Sequence, residues 1–156
     1  MLTSPNADLL TRFYTAFDAR DGAAMAACYA PDAQFSDPVF VGLRGAEPGA
    51  MWTMLTSRSK DLRVELVDST ADETAGTAHW IARYTFTPTG RPVVNDVRST
   101  FRFAEGLIVE QRDTFSFYTW SRQALGLPGL LLGWSPIIRR AVQRKARAGL
   151  SLSGQH

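Results

Sequence analysis

The chain has little of what metal, disulfide or nucleophilic-triad chemistry requires. Its 156 residues include one cysteine, Cys28, and two histidines, His79 and His156. A single cysteine excludes an intramolecular disulfide and points to a reducing compartment. No His/Asp/Glu group has metal-ligand spacing, Cys28 has no histidine placed to activate it, and no glycine-rich phosphate loop is present. The expectation is therefore no metal and no cofactor. Long apolar runs are also missing. The longest candidate, Leu125 to Ile138, is broken by two prolines and three glycines, whereas a membrane-spanning helix needs about 20 apolar residues. Met1 to Asn6 lacks the apolar core of a signal peptide, so a cytoplasmic location is expected. A large charge imbalance is absent too. Lys and Arg number 17 against 15 Asp and Glu, a net charge of +2, and much of the excess lies between Arg139 and Arg147. Repeats and low-complexity linkers are lacking, and the length fits one domain.

What is present is a change of period along the chain. Leu9, Leu10, Phe13, Tyr14 and Phe17 recur at helical spacing over Asp8 to Phe17, and Ala23 to Tyr29 and Gly45 to Ser57 read as two further helices. A short strand is expected at Ala33 to Ser36. Beyond Leu62 the pattern becomes alternating: Leu62 to Val67, Thr77 to Phe86, Val93 to Phe103 and Leu107 to Phe117, with turns at Pro88-Thr89-Gly90 and Ala104-Glu105-Gly106. Helices followed by an antiparallel meander predict an α+β fold with helices on one face of a curved sheet. An apolar pocket between the two layers is then the default ligand site.

One residue breaks the alternation. From Leu107 to Phe117 the odd positions Leu107, Val109, Phe115 and Phe117 are apolar, and Asp113 stands among them. An unpaired carboxylate in an apolar row costs several kcal/mol or shifts its pKa. Either the protein hydrogen-bonds it, or the row lines a cavity that uses an acid. Tyr84, Asn95, Ser99 and Gln111 share inward faces with Trp80 and Phe101, which suits pocket lining better than a core. Asp37 precedes Pro38; it could face the same cavity or close an Asx-turn. Two carboxylates in one cavity would repel, leaving one protonated near neutral pH as an acid beside a base. His79 falls on the outward face.

The runs Phe13-Tyr14-Thr15-Ala16-Phe17, Asp21-Gly22, Tyr29-Ala30-Pro31-Asp32-Ala33 and Phe35-Ser36-Asp37-Pro38 resemble the opening of nuclear-transport-factor-2-like domains. Thr85 to Arg91, Phe101-Arg102-Phe103, Gly106-Leu107-Ile108 and Gln111-Arg112-Asp113 resemble their later strands. The resemblance covers roughly Asp8 to Trp120. It implies a cone-shaped, cystatin-like α+β fold with a mixed sheet, a homodimer through the sheet, and kinship with ketosteroid isomerases, limonene epoxide hydrolases and SnoaL-like polyketide cyclases. Similarity to ketosteroid isomerases places their proton-shuttling aspartate on Asp37, and their two oxyanion donors on Phe13 and Ser99. Similarity to limonene epoxide hydrolases places their water-activating aspartate on Asp113. Their arginine and second aspartate fall on Trp80 and Ala82, and their water-holding tyrosine and asparagine on Phe35 and Asp37. Neither full catalytic set is retained, which leaves the SnoaL-like group.

The resulting expectation is a SnoaL-like domain over residues 1–120 and a C-terminal helical extension over 121–156. It would run cofactor-independent isomerase, cyclase or hydrolase-type chemistry on a small hydrophobic molecule, with Asp113 as base and Asp37 as a second acid/base or orienting group. Trp80, Tyr84, Asn95, Ser99, Phe101, Gln111, Phe115, Phe13 and Phe35 would contact the substrate. The alternatives are a non-catalytic binding protein and a dimerisation module without ligand. The loop from Leu125 to Trp134 is expected to close the pocket mouth or pack in a dimer. In the tail, Ile137, Ile138, Ala141 and Val142 are expected to pack inward with the cations solvated. Neither nucleic acid nor a membrane surface is expected as a partner.

Overall fold

The structure, a computed structural model, describes residues 4–126 and 136–153, with side chains through Leu150. Helix α1 (Pro5–Asp18) starts where Ser4 Oγ accepts from Ala7 N at 3.0 Å, a side-chain cap followed by proline at the first helical position. Its apolar stripe, from Leu9 to Phe17, is buried. Helix α2 (Gly22–Ala26) is capped by Asp21 and leans on α3 (Glu47–Arg58). A Cβ on Gly22 would lie 2.6 Å from Thr53 Cα, so only glycine allows this approach. The strands are β1 (Tyr29–Ser36), β2 (Leu43–Arg44), β3 (Arg63–Ala71), β4 (Ala75–Phe86), β5 (Arg91–Ala104) and β6 (Leu107–Thr114). Helix α4 (Phe117–Leu125) and helix α5 (Pro136–Ser153) follow.

The strands form one curved, unclosed sheet in the order β2-β1-β6-β5-β4-β3. Every pairing is antiparallel except β1 with β6. Helices α1 to α3 cover one face, and the core between the layers is largely aromatic. The Phe13 ring lies 5.0 Å from Tyr14, 5.8 Å from Tyr29 and 6.0 Å from Trp52, each edge to face. These are favourable quadrupole geometries in addition to burial.

Several expectations are corrected. Tyr29 opens β1 instead of ending a helix. Strand β6 stops at Thr114, because Ser116 Oγ accepts from Thr119 N at 3.1 Å and starts α4; Phe117 is thus a helical core residue beside Trp120 and Ala124. Within β6, Arg102 pairs with Glu110 but Phe103 pairs with Ile108. Val109 is the extra residue of a β-bulge, which reverses the inward phase across it. Ile108 is fully buried, while Leu107 and Val109 are half-buried. In α5 the inward side carries Val142, Ala146 and Leu150; Ile137 and Ala141 face out. The expected mouth-closing loop falls largely on residues 127–135, outside the described residues.

Candidate functional site

The site grows from two ladders. In the parallel ladder Phe35 pairs with Gln111 and Ser36 with Arg112; Asp37 follows the last rung, close enough to Asp113 for its charge to be felt there. In the antiparallel ladder Ser99 of β5 pairs with Asp113. Paired residues on adjacent strands point to the same side. Two carboxylates far apart in sequence are thereby brought near one another at one end of the sheet.

Asp113 is 3% exposed. Its Oδ1 accepts from Ser99 Oγ at 2.5 Å and from Gln111 Nε2 at 3.0 Å. Ser99 is held by an indole, and Gln111 by a tyrosine that an indole holds. Trp80 Nε1 donates to Ser99 Oγ at 2.8 Å, and the Tyr14 hydroxyl approaches the same oxygen at 3.4 Å. An indole N–H can only donate, so the Ser99 proton goes to Asp113. Trp52 Nε1 likewise donates to the Tyr29 oxygen at 2.7 Å, and Tyr29 passes its own proton to Gln111 Oε1 at 2.5 Å. That fixes the Gln111 amide with its NH2 toward Asp113. Oδ2 accepts no hydrogen bond from any described residue. Every fully enclosed side-chain nitrogen or oxygen among those residues has a partner, so Oδ2 borders space that water can enter.

Burial pushes the Asp113 pKa up to about 7; the Ser99 and Gln111 hydrogen bonds pull it down, and the charge of Asp37 adds to the rise. Asp37 is half-buried. Its Oδ1 accepts from Val39 N at 2.7 Å and Phe40 N at 2.6 Å, an Asx-turn that ends β1. Burial raises its pKa to about 6 against those two bonds. The turn and the inward placement thus coexist. The Tyr84 hydroxyl accepts from Trp120 Nε1 at 2.8 Å, and its pKa is raised by burial and by the nearby Asp37. Asn95 is half-buried on the same inner face, opposite Ala82, and its amide bonds no described residue.

The remaining candidates separate by depth. Phe13, Phe35, Trp80 and Phe101 are closed inside the aromatic core, no more than 4% exposed. They form the wall behind Asp113. Phe115 lies past the end of β6, half-buried, and like Val39 and Tyr84 packs against both core clusters. The rim of the site is therefore Asp37, Tyr84, Asn95 and Phe115. Sequence reasoning missed Tyr14, Tyr29, Trp52 and Trp120, because a buried aromatic at core spacing gives no sign that its one polar atom is used. A hollow of about 440 Å³ opens elsewhere, lined by Ala26, Tyr29, Gly49 and Thr53 among others, and a smaller one lies beside β1 and β6. Neither includes Asp113 or Asp37. Among the described residues no three His, Cys, Asp or Glu side chains are grouped to hold a metal ion, and no helix is long and apolar enough to cross a membrane.

The chain is similar in fold to many solved structures. A protein with a ketosteroid isomerase-like fold from Catenulispora acidiphila, in complex with trimethylamine, superposes with a TM-score of 0.67 at 18% identity, covering 82% of this chain and 97% of that one. An LEH-like epoxide hydrolase from M. tuberculosis gives 0.65 at 20%, covering 87% and 96%. A candidate polyketide cyclase from Xanthomonas campestris gives 0.64 at 22%, covering 76% and 96%. No curated protein matches the sequence. The SnoaL-like domain family matches residues 10–111, from within α1 to the Gln111 that steadies Asp113. The chain belongs to the SnoaL-like domain family.

Proposed function

We propose that this protein is a cofactor-independent acid/base enzyme acting on a small, apolar, uncharged molecule, with Oδ2 of Asp113 as the base. One observation carries the reading: a deeply buried carboxylate has one oxygen saturated by two oriented donors and the other left without a partner. A structural acid would be expected to use both oxygens. A group whose proton affinity lies near neutral pH is suited to both taking and returning a proton. In this scheme Ser99 and Gln111 hold the carboxylate in place while Oδ2 removes a proton, as from a carbon next to a carbonyl. Asp37 returns a proton or orients the ligand. The Trp120 indole donates to the Tyr84 oxygen, which leaves the phenol proton for a ligand acceptor, and Asn95 offers a second donor. The inward-facing candidates include two carboxylates and no Lys, Arg or His, which disfavours an anionic substrate. Structural neighbours named as an LEH-like epoxide hydrolase and a candidate polyketide cyclase fit this breadth of acid/base chemistry.

The second reading, a binding protein without turnover, is favoured by the Ser99 hydroxyl. It is committed to Asp113, and Phe13 has no donor, so the two positions that resemble oxyanion donors are both silent. Screening cyclic ketones and aromatic polyketide-like compounds for deuterium exchange in heavy water separates the two. The enzyme reading expects exchange that falls by about 10²-fold or more in Asp113→Asn, with ligand-induced thermal shift retained. Ligands that shift the melting of the wild type without any exchange would establish the binder.

A further inference from the structure

All of the chain's Asp and Glu residues lie at or before Asp113, while six of its Lys and Arg residues lie after it. The body is thus net negative and the C-terminal part purely cationic, a separation hidden by the overall charge of +2. Helix α5 concentrates it. Arg147 reaches Glu47 at 3.2 Å, and Arg139 lies over the Phe117 ring at 5.5 Å. Arg140, Arg144 and Lys145 are exposed and have no carboxylate partner among the described residues. The same outward side carries Ile137, 74% exposed, with Ala141 and Ala148. Packing explains the arrangement. Val142, Ala146 and Leu150 take the inner stripe, so Ile137 and Ala141, about 100° round the helix from Ile138 and Val142, fall between the cations.

The helix is also tied to the candidate site. Val142 packs on the cluster of Val93, Phe117, Trp120 and Ala124, against which Tyr84 and Phe115 also pack. Gln143 Nε2 donates to Pro38 O at 2.9 Å, directly beside Asp37. The inner side of α5 thus braces the acid rim while its outer side presents cations interleaved with apolar groups.

We propose that the outward face of α5 docks the protein on an anionic lipid surface, holding the rim of the acid site close to a bilayer that stores apolar substrate. Charge complementarity selects an anionic partner, and the interleaved Ile137, Ala141 and Ala148 favour lipid over nucleic acid, which would use polar or stacking groups at those positions. A negative body behind a cationic helix also orients the molecule, since only this side is attracted to the surface. The reversal of the sequence expectation follows from the outward placement of Ile137 and Ala141. The link to substrate supply rests on the proposed function; the docking itself does not.

The test is co-sedimentation of the full chain with vesicles of phosphatidylcholine alone or mixed with phosphatidylglycerol. The wild type is expected to sediment with the mixed vesicles only, and to be released by high salt. R140E/R144E/K145E is expected to lose more than about tenfold in apparent affinity while keeping its circular dichroism and melting temperature. Equal binding to both vesicle types, no binding, an unaffected triple variant, or tighter binding to duplex DNA or RNA than to the mixed vesicles would each overturn the proposal. Vesicle binding needs no substrate, so a failed exchange assay with intact vesicle binding would remove the enzyme reading and leave the docking face standing.

Discussion

At the scale of single residues, the two raised acids tie stability to pH. An exposed aspartate has a pKa near 3.8, whereas Asp37 and Asp113 sit at about 6 and about 7. The folded state holds both protons more tightly than the unfolded chain. Their contribution is therefore full below about pH 4 and is lost as pH rises through 6 and 7. Asp113→Asn removes the charge and keeps a shape that Ser99 and Gln111 can still address. It should leave melting near pH 4 almost unchanged and stabilise the protein by roughly 2–4 kcal/mol at pH 8, measured as a shift in urea midpoint. An equal shift at both pH values would mean that the charge is not what burial opposes. Asp113 was legible because it violated an alternation. Its supports were not: Tyr29 and Trp52 look like packing in the sequence, and only the fold shows where the hydroxyl and the indole N–H point.

At the scale of elements, strand existence was readable and strand phase was not. The periods of two and of helical spacing located α1, α3 and strands β4 to β6 to within a few residues, since burying an apolar face leaves that trace. The two-residue strand β2 has no period to show. The start of α4 was hidden because Phe115 and Phe117 continue the alternation, and the Ser116 cap competes with it only locally. The bulge at Val109 is likewise invisible when Leu107 and Val109 are as apolar as Ile108. It makes a definite prediction. Deleting Val109 restores a regular ladder in which Ile108, Gln111 and Asp113 stay inward, so the raised pKa of Asp113, read by carboxyl carbon NMR, should persist. Deleting Arg112 instead turns Asp113 to the outer face and should return it to an ordinary carboxylate value. The same titration in both deletions would contradict the register.

At the scale of the whole molecule, family and fold were legible from short motifs spread over most of the chain. The reaction was not, because a shared scaffold does not fix its chemistry. Oligomeric state is of the same kind. The resemblance implies a dimer through the outer face of the sheet, where Ile81 is half-buried and Val67 and Val94 are 45% and 49% exposed. Light scattering should return twice the monomer mass, and Ile81→Lys should halve it with the fold intact. A monomeric wild type would remove the dimer expectation. The parallel pairing of β1 with β6 has a kinetic consequence. The first long strand made by the chain cannot complete its ladder until the last has been made, so the acid pair closes one of the longest loops in the protein. When both acids are ionised they oppose that final docking. Refolding should therefore slow as pH rises through the range of their two pKa values. In Asp113→Asn the part of the slowing near pH 7 should disappear while the part near pH 6, from burial of Asp37, remains, a dependence that stopped-flow fluorescence of the buried tryptophans can follow.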